Sequence, residues 1–421
     1  MSGFNPKAYG KVFAVRKARV FDAGCFLMRF YFCMLNMGTL TMMTLSGYTF
    51  LAAGVTSSVI AFSVFFLSPQ IAKLVDRMGQ HKVVPYAGMV SVAGLVAMVA
   101  GVLLHAPEWA FLLAAVPLGC IPNPQALARS RWTYLVRTGK LGAATPDIQT
   151  VFAYEGVLDD CGFMLSPAVS IALASAIAPV AGMVAGGIAF AAGFCLVTLS
   201  RSTEPEPGWT DGDAEAAVDR RPDGEKRKSV IRTSPVVRVL FVTMFCIGAV
   251  FGIMDTSTVA LAEDAGDPNI AGLVLMVGSL VSVACGIVFG MFHLKAKPYV
   301  LMAVTSVLLG CAYGTIFLID SPLSLFVIST VAALTYAPFV ITNNYVCERA
   351  VPSSRLTEGI TWMNEASTCG MAFGPSIAGF IVDCLGASAA FDLGAVFAVA
   401  IPVVVLAFGR SFKREIKEDS D

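Results

Sequence analysis

Long, nearly uncharged apolar runs fill the chain, and short charged segments separate them. A helix needs roughly 20 apolar residues to cross the hydrocarbon of a bilayer. The runs are continuous rather than alternating, which favours helices over the strands of a β-barrel. The pattern therefore predicts an all-α membrane protein with twelve transmembrane helices. The predicted spans are residues 21–44, 47–71, 84–104, 109–128, 152–176, 179–199, 236–261, 270–292, 298–318, 322–344, 358–382 and 388–409.

The composition agrees with a membrane protein. Hydrophobic residues make up 56% of the 421 residues and charged residues only 14%, against about 25% charged in an ordinary globular domain. The basic N-terminal arm leads directly into a full-length span, so we expect no cleaved signal peptide. The 11 cysteines lie within or beside apolar runs and form no CxxC pair. We interpret them as small packing residues rather than disulfides or metal ligands.

The basic residues predict the orientation. All but one of the 29 lysines and arginines lie in the N-terminal arm, the C-terminal tail or every second loop, with the central loop counted up to Arg238, and the loops between these have none. The exception is Arg29, inside the first span. Because basic loops stay in the cytoplasm, we expect an even number of spans and both termini on the cytoplasmic side.

A polar segment divides the chain in two. Residues 201–235 carry charges of both signs together with Pro and Gly, which is typical of a solvated linker. We predict an N-terminal six-helix bundle at 1–200, a cytoplasmic linker at 201–235 and a C-terminal six-helix bundle at 236–421. A weak internal repeat supports two related halves, since the fourth and tenth spans each place an Asn six residues after a Pro.

The charged segment between the second and third spans reads AKLVDRMGQHK and contains Asp76, Arg77, Gly79 and Lys82. It resembles the loop signature of the major facilitator superfamily, and GMAFGPSIAG in the eleventh span resembles that family's G-x-x-x-G-P motif. Several other segments are similar to a bacterial subgroup of predicted exporters. The resemblance covers nearly the whole chain. It implies two pseudo-symmetric six-helix bundles around one midplane cavity, in the bacterial cytoplasmic membrane.

The resemblance also implies a conformational latch on the cytoplasmic face. In the family, the counterpart of Asp76 lies near the start of the eleventh span and near an arginine at the inner end of the fourth. A helix N-terminus attracts an anion, and an arginine can pair with a carboxylate bidentately. Arg129 or Arg131 is the candidate partner here. The predicted latch residues are Asp76, Arg77, Gly79, Lys82, Arg129 and Arg131; the alternative is that these charges only fix the topology.

Three carboxylates inside the spans are candidates for ion coupling. A charge at a helix centre costs about 2.5–3.5 kcal/mol, so it usually faces a cavity or a partner. Asp255 has no basic residue near it in sequence, while Glu155 and Asp159 share one face of the fifth span. We predict that all three couple transport to protons. The alternatives are a solvated Asp255 near the outer mouth, and a structural ion-pair cluster at Glu155 and Asp159.

Polar side chains within the spans are candidates for substrate binding. Arg29 could hold an anionic or polar substrate, pair with a carboxylate such as Asp22, or extend to the lipid headgroups. For the other candidates, helix packing is the alternative to ligand contact. The predicted substrate-binding residues are Arg29, Asn36, Asn123, Gln125, Tyr336, Asn343 and Glu365.

No signature of an enzyme is present, since the chain lacks a P-loop, an HExxH motif and a nucleophile elbow. We predict no catalytic residue, no metal and no cofactor. The prediction is a secondary active transporter that exports a small organic solute by alternating access, coupled to protons. The alternatives are uptake or exchange of a polar metabolite such as a sugar, and a non-transporting sensor of the same fold. The expected partners are the solute, protons and the lipid bilayer, with no nucleic acid, and we expect a monomer.

Overall fold

The structure is a computed structural model, and it describes residues 15–141, 146, 148–207, 209, 230–291, 297–351, 356–409 and 412. Within these residues the chain is almost entirely helical and has no strand. This confirms the predicted all-α class. The longer helices are α1 (Arg16–Thr44), α2 (Phe50–Met78), α3 (Gln80–Leu103), α4 (Glu108–Leu118), α5 (Pro124–Arg137), α6 (Ile148–Ala176), α7 (Ala181–Leu199), α8 (Pro235–Asp264), α9 (Asn269–Met291), α10 (Pro298–Gly314), α11 (Pro322–Ala350), α12 (Leu356–Leu385) and α13 (Ala387–Ala407).

The predicted fourth span is two helices rather than one. In the described residues, eleven helices are long and apolar enough to cross a membrane, and α4 is a shorter apolar helix. The helix breaks between Leu118 and Pro124 because Pro122 and Pro124 have no backbone N–H to donate. The Asn123 side chain then accepts a hydrogen bond from Ala126 N at 3.1 Å and starts α5 as its N-cap. The predicted twelve spans thus correspond to eleven long helices and one broken pair.

The predicted loop between the second and third spans is much shorter than expected. Helix α2 continues to Met78 and α3 begins at Gln80, so only Gly79 interrupts the helix. Gly79 has φ 91°, a conformation that glycine adopts without steric cost. The charged residues lie on the helix ends, where long basic side chains reach water without a loop. The prediction of a loop from residue 72 to residue 83 is therefore wrong in extent.

Two packing units make up the described chain. The first comprises residues 1–38 and 63–222, and the second comprises residues 39–62 and 223–421. In the first unit, α3 packs on α4 and α7. In the second, α8 is the most fully buried long helix and packs on α12 and α13. The division into bundles at 1–200 and 236–421 stays a prediction, and the packing assigns the tip of the α1–α2 hairpin, residues 39–62, to the second unit.

Glycines bring α8 and α12 into backbone contact, as the G-x-x-x-G pattern predicts. A Cβ atom added at Gly370 would lie 2.1 Å from Phe245 O, and one at Gly374 would lie 2.7 Å from the Gly252 backbone. Neither position has room for a side chain. The two helices therefore form the tightly packed centre of the second unit.

A buried charge cluster as the candidate functional site

Arg29 is at the centre of a buried charge cluster in the first unit. Its side chain is 1% exposed, and its Nη2 donates to Glu155 Oε2 at 2.7 Å. Its Nε lies 2.6 Å from Asp159 Oδ1. Glu155 and Asp159 are one helical turn apart on α6, so both carboxylates face α1. Of the three alternatives for Arg29, the structure shows an ion pair with carboxylates. These carboxylates belong to Glu155 and Asp159 on α6.

Aromatic side chains hold the third carboxylate of the cluster, Asp22. The Trp132 Nε1–H donates to Glu155 Oε1 at 3.1 Å and to Asp22 Oδ1 at 3.3 Å. The Tyr154 hydroxyl donates to Asp22 Oδ2 at 2.6 Å. Buried Trp and Tyr usually need such polar partners. Sequence reasoning missed the two aromatic residues, although Tyr154 directly precedes Glu155.

Arg129 closes the cluster on its more exposed side. Its Nη2 lies 3.4 Å from Asp159 Oδ2, and its side chain is 46% exposed. The Gln125 side chain also lies beside the Asp159 carboxylate. Two guanidinium groups therefore contact Glu155 and Asp159, while the third carboxylate, Asp22, accepts hydrogen bonds from Trp132 and Tyr154. The cluster is closed at Glu155, which is 0% exposed, and reaches solvent through Arg129.

Arg131 lies behind the cluster and donates to neutral groups. Its Nε donates to Gln80 Oε1 at 2.6 Å, and its Nη1 donates to Ser200 O at 2.7 Å and to Thr203 Oγ1 at 3.0 Å. Its Nη2 donates to Val197 O at 2.8 Å. Two of these bonds go to carbonyl groups at the C-terminus of α7 and just after it. Arg131 thus ties α7 and the following residues to α3 and α5.

The first residues of the predicted linker also pack on this unit. The Glu204 carboxylate lies 2.9 Å from His81 Nδ1 and accepts a hydrogen bond from His81 N at 2.9 Å. The Tyr134 hydroxyl donates to Glu206 Oε1 at 3.2 Å, and the Trp209 ring packs edge-on against Tyr134. The chain after α7 is therefore anchored before the polar segment continues.

Comparison with known proteins decides the family. The family model described as Major Facilitator Superfamily matches residues 143–364, which is more than half of the chain. The chain belongs to the major facilitator superfamily. It is accordingly a multi-pass membrane transporter of that fold. Among curated proteins, none matches the chain.

Solved structures of superfamily transporters share the fold at low sequence identity. The nucleoside transporter NupG has a TM-score of 0.69 at 13% identity, covering 93% of this chain and 99% of that chain. The POT family transporter PepTSo has a TM-score of 0.67 at 15% identity, covering 95% and 99%. A bacterial homologue of the iron transporter ferroportin, in an inward-facing state, has a TM-score of 0.67 at 13% identity, covering 93% and 98%. At these identities the likeness concerns the fold alone.

The residues predicted to form the superfamily latch lie at the adjoining ends of α2 and α3 and on α5. Asp76, Arg77 and Lys82 are exposed, and within the described part of the chain Asp76 has no hydrogen bond or ion pair. The candidate arginines have other partners, as given above. Residues 352–355, which precede α12, lie outside the described residues. The latch therefore stays a prediction.

Four of the residues predicted to couple ions or to bind substrate lie in the second unit. The Tyr336 ring packs edge-on against Phe251, with ring centroids 4.7 Å apart. Asn343 is 1% exposed, and neither its amide nitrogen nor its oxygen has a hydrogen-bond partner in the described residues. Asp255 on α8 and Glu365 on α12 are half-buried, and neither has a hydrogen bond or ion pair among the residues that the structure describes.

The remaining predicted binding residues belong to the first unit. Asn36 is half-buried on α1. Asn123 uses its side-chain oxygen to cap α5, and Gln125 lies beside Asp159. Of the predicted binding residues, Arg29 and Gln125 therefore join Glu155 and Asp159 in one cluster.

Proposed function

We propose that this transporter is a proton-coupled antiporter that exports a small amphipathic organic compound by alternating access. The observation that carries the proposal is the buried cluster in which Arg29 contacts Glu155 and Asp159. We place the protein as a monomer in the bacterial cytoplasmic membrane with both termini in the cytoplasm, in keeping with the positions of the basic residues.

The balance of charge in the cluster supports a proton site. Burying an ionised carboxylate is costly unless the group is paired, and here the cluster holds three carboxylates and two guanidinium groups, which contact Glu155 and Asp159. Arg131 adds positive potential but donates to none of the three. One proton would remove the excess negative charge. Glu155 is the natural acceptor because it is fully buried and shares the Trp132 N–H with Asp22.

The same excess of negative charge would allow a substrate to bind the cluster in exchange for the proton. A cationic group or a strong hydrogen-bond donor on the substrate would satisfy the carboxylates in place of the proton. Proton and substrate then occupy the cluster alternately, which is the requirement for antiport. In this mechanism Arg29, predicted as a substrate-binding residue, holds the two carboxylates of α6 in position. Arg129 is the exposed member through which the cluster would communicate with solvent.

Asp255 is a second candidate for ion coupling. It is half-buried on α8, in a segment whose neighbouring residues are apolar or carry only hydroxyl groups. An intramembrane carboxylate of this kind is a functional candidate by default. We propose that it acts in the second unit as Glu155 does in the first.

The export direction is proposed from the G-x-x-x-G-P motif in α12. In the family, motifs of this type are associated with exporters and antiporters, more usually in the fifth span. Gly370 and Gly374 hold α12 against the α8 backbone, and such tight contact would limit leakage of protons. The motif supports export without identifying the substrate.

Flux measurements in proteoliposomes test the proposal. A thermal-shift screen of the purified protein against cationic and neutral amphipathic compounds first finds a compound that stabilises the folded state. That compound is then loaded into vesicles containing a pH-sensitive dye. Antiport predicts that substrate movement drives protons in the opposite direction. Proton movement in the same direction as the substrate would contradict antiport and support uptake; substrate movement without protons would contradict coupling. If no stabilising compound moves, the sensor alternative holds.

A further inference from the structure

The N-terminus of α2 is capped by a carboxylate from a distant part of the chain. Asp383, near the C-terminus of α12, accepts a hydrogen bond from Phe50 N on Oδ1 at 3.0 Å and one from Leu51 N on Oδ2 at 2.6 Å. The first backbone N–H groups of a helix have no partner within it, and the positive end of the helix dipole favours an anion there. Thr49 Oγ1 accepts from Ala52 N at 3.1 Å and completes the cap.

Close packing of α2 against α12 continues from this cap. A Cβ atom at Gly379 would lie 2.3 Å from Phe50 O, and one at Gly54 would lie 2.1 Å from Pro375 O. The Ser376 hydroxyl donates to Ser58 Oγ at 2.6 Å. The contact therefore extends over the first two turns of α2, where the backbones of α2 and α12 touch.

The end of α1 is held in the same way. Thr44 Oγ1 donates to Glu263 Oε1 on α8 at 2.5 Å. With α2, this places residues 39–62 in the second packing unit, although the chain before and after them belongs to the first. The unit boundaries at residues 38/39 and 62/63 fall inside continuous helices. The hairpin tip thus packs with the helices of the second unit, although the rest of α1 and α2 belongs to the first unit.

We propose that Asp383 is a clasp that holds the predicted outer side of the transporter closed. Opening of that side requires the hairpin tip to leave α8 and α12, and the cap is suited to repeated breaking. Asp383 is exposed, so water replaces the two hydrogen bonds when they part. No buried charge is left behind in the open state. The inference rests on alternating access in the proposed function, but not on proton coupling or on the direction of transport.

The rate at which a reagent labels a cysteine in the contact between α2 and α12 tests the clasp. Ser58→Cys is introduced into a protein whose exposed cysteines Cys195, Cys311 and Cys384 are replaced by serine. The purified protein is then treated in detergent with a bulky maleimide. Asp383→Ala removes both hydrogen bonds and is expected to raise the labelling rate about threefold to tenfold, from the usual strength of a helix cap. Asp383→Asn keeps one acceptor and should give a smaller increase.

Asp392→Ala is the matched control. Asp392 is an exposed aspartate on the neighbouring helix α13, and in the described residues it makes no hydrogen bond or ion pair. This change should leave the labelling rate unaltered. Equal labelling of the Asp383 variants and the parent would overturn the clasp. If Asp383→Ala does not fold, the Asp383→Asn comparison decides. Because the assay needs neither substrate nor protons, loss of the clasp leaves the coupling proposal standing, and failure of coupling leaves the clasp intact.

Discussion

Arg29 is retained inside an apolar span because two carboxylates reach it from one face of α6. Breaking a buried ion pair by removing one partner is strongly destabilising, because it leaves an uncompensated charge. Each residue of the cluster therefore has a structural role as well as any role in coupling. Arg131 differs, since it donates only to neutral groups and its removal leaves no unpaired acid in contact.

The Arg131→Met variant tests whether Arg131 stabilises the fold independently of the buried charge cluster. The change removes the hydrogen bonds to Gln80 and to the carbonyl groups of Val197 and Ser200, and we expect it to destabilise the protein by about 2–4 kcal/mol. The melting temperature of the purified protein measures the effect. Arg238→Met, on the exposed face of α8, is the control and should change stability by no more than about 0.5 kcal/mol. Equal melting temperatures for the two variants would show that the α7 anchor contributes little.

At the scale of helices, the apolar pattern predicts where each span lies but not how it ends. The bilayer imposes a length of roughly 20 residues on an apolar helix, so most spans could be located from the sequence. The apolar pattern predicts one continuous fourth span, whereas the structure has a break capped by Asn123. The charged residues before Gly79 suggested a loop, yet they continue α2. Hydropathy alone does not distinguish a solvated helix end from a loop.

The contact between α8 and α12 gives a prediction at this scale. Gly374→Ala would place a Cβ atom 2.7 Å from the Gly252 backbone, so the helices must separate. Overpacking of this kind costs about 1–3 kcal/mol, and we expect a lower melting temperature. Gly278→Ala in α9 is the control, because its Cβ would meet only Ala333 Cβ at 3.9 Å. A Gly374→Ala protein as stable as the Gly278→Ala protein would contradict the close contact.

At the scale of the whole molecule, the sequence predicts the fold better than it predicts the contacts within the candidate site. Family, helix content and membrane class follow from hydropathy and motifs that are local in sequence. The spacing of Glu155 and Asp159 also predicts a shared face. Their partners could not be predicted, because Arg29 is 126 residues before Glu155 and Tyr154 is 132 residues after Asp22. Such pairs depend on which helices pack together.

The central claim is that Glu155 carries the proton that drives transport, and one comparison tests it most directly. With the compound found by thermal shift, gradient-driven accumulation and substrate exchange without a gradient are both measured in proteoliposomes for Glu155→Gln. Glu348→Gln, an exposed glutamate on α11, is the matched control. We predict that Glu155→Gln lowers gradient-driven accumulation at least about tenfold, the effect of losing roughly 1.4 kcal/mol of coupling, and retains exchange. Undiminished accumulation by Glu155→Gln would contradict the account.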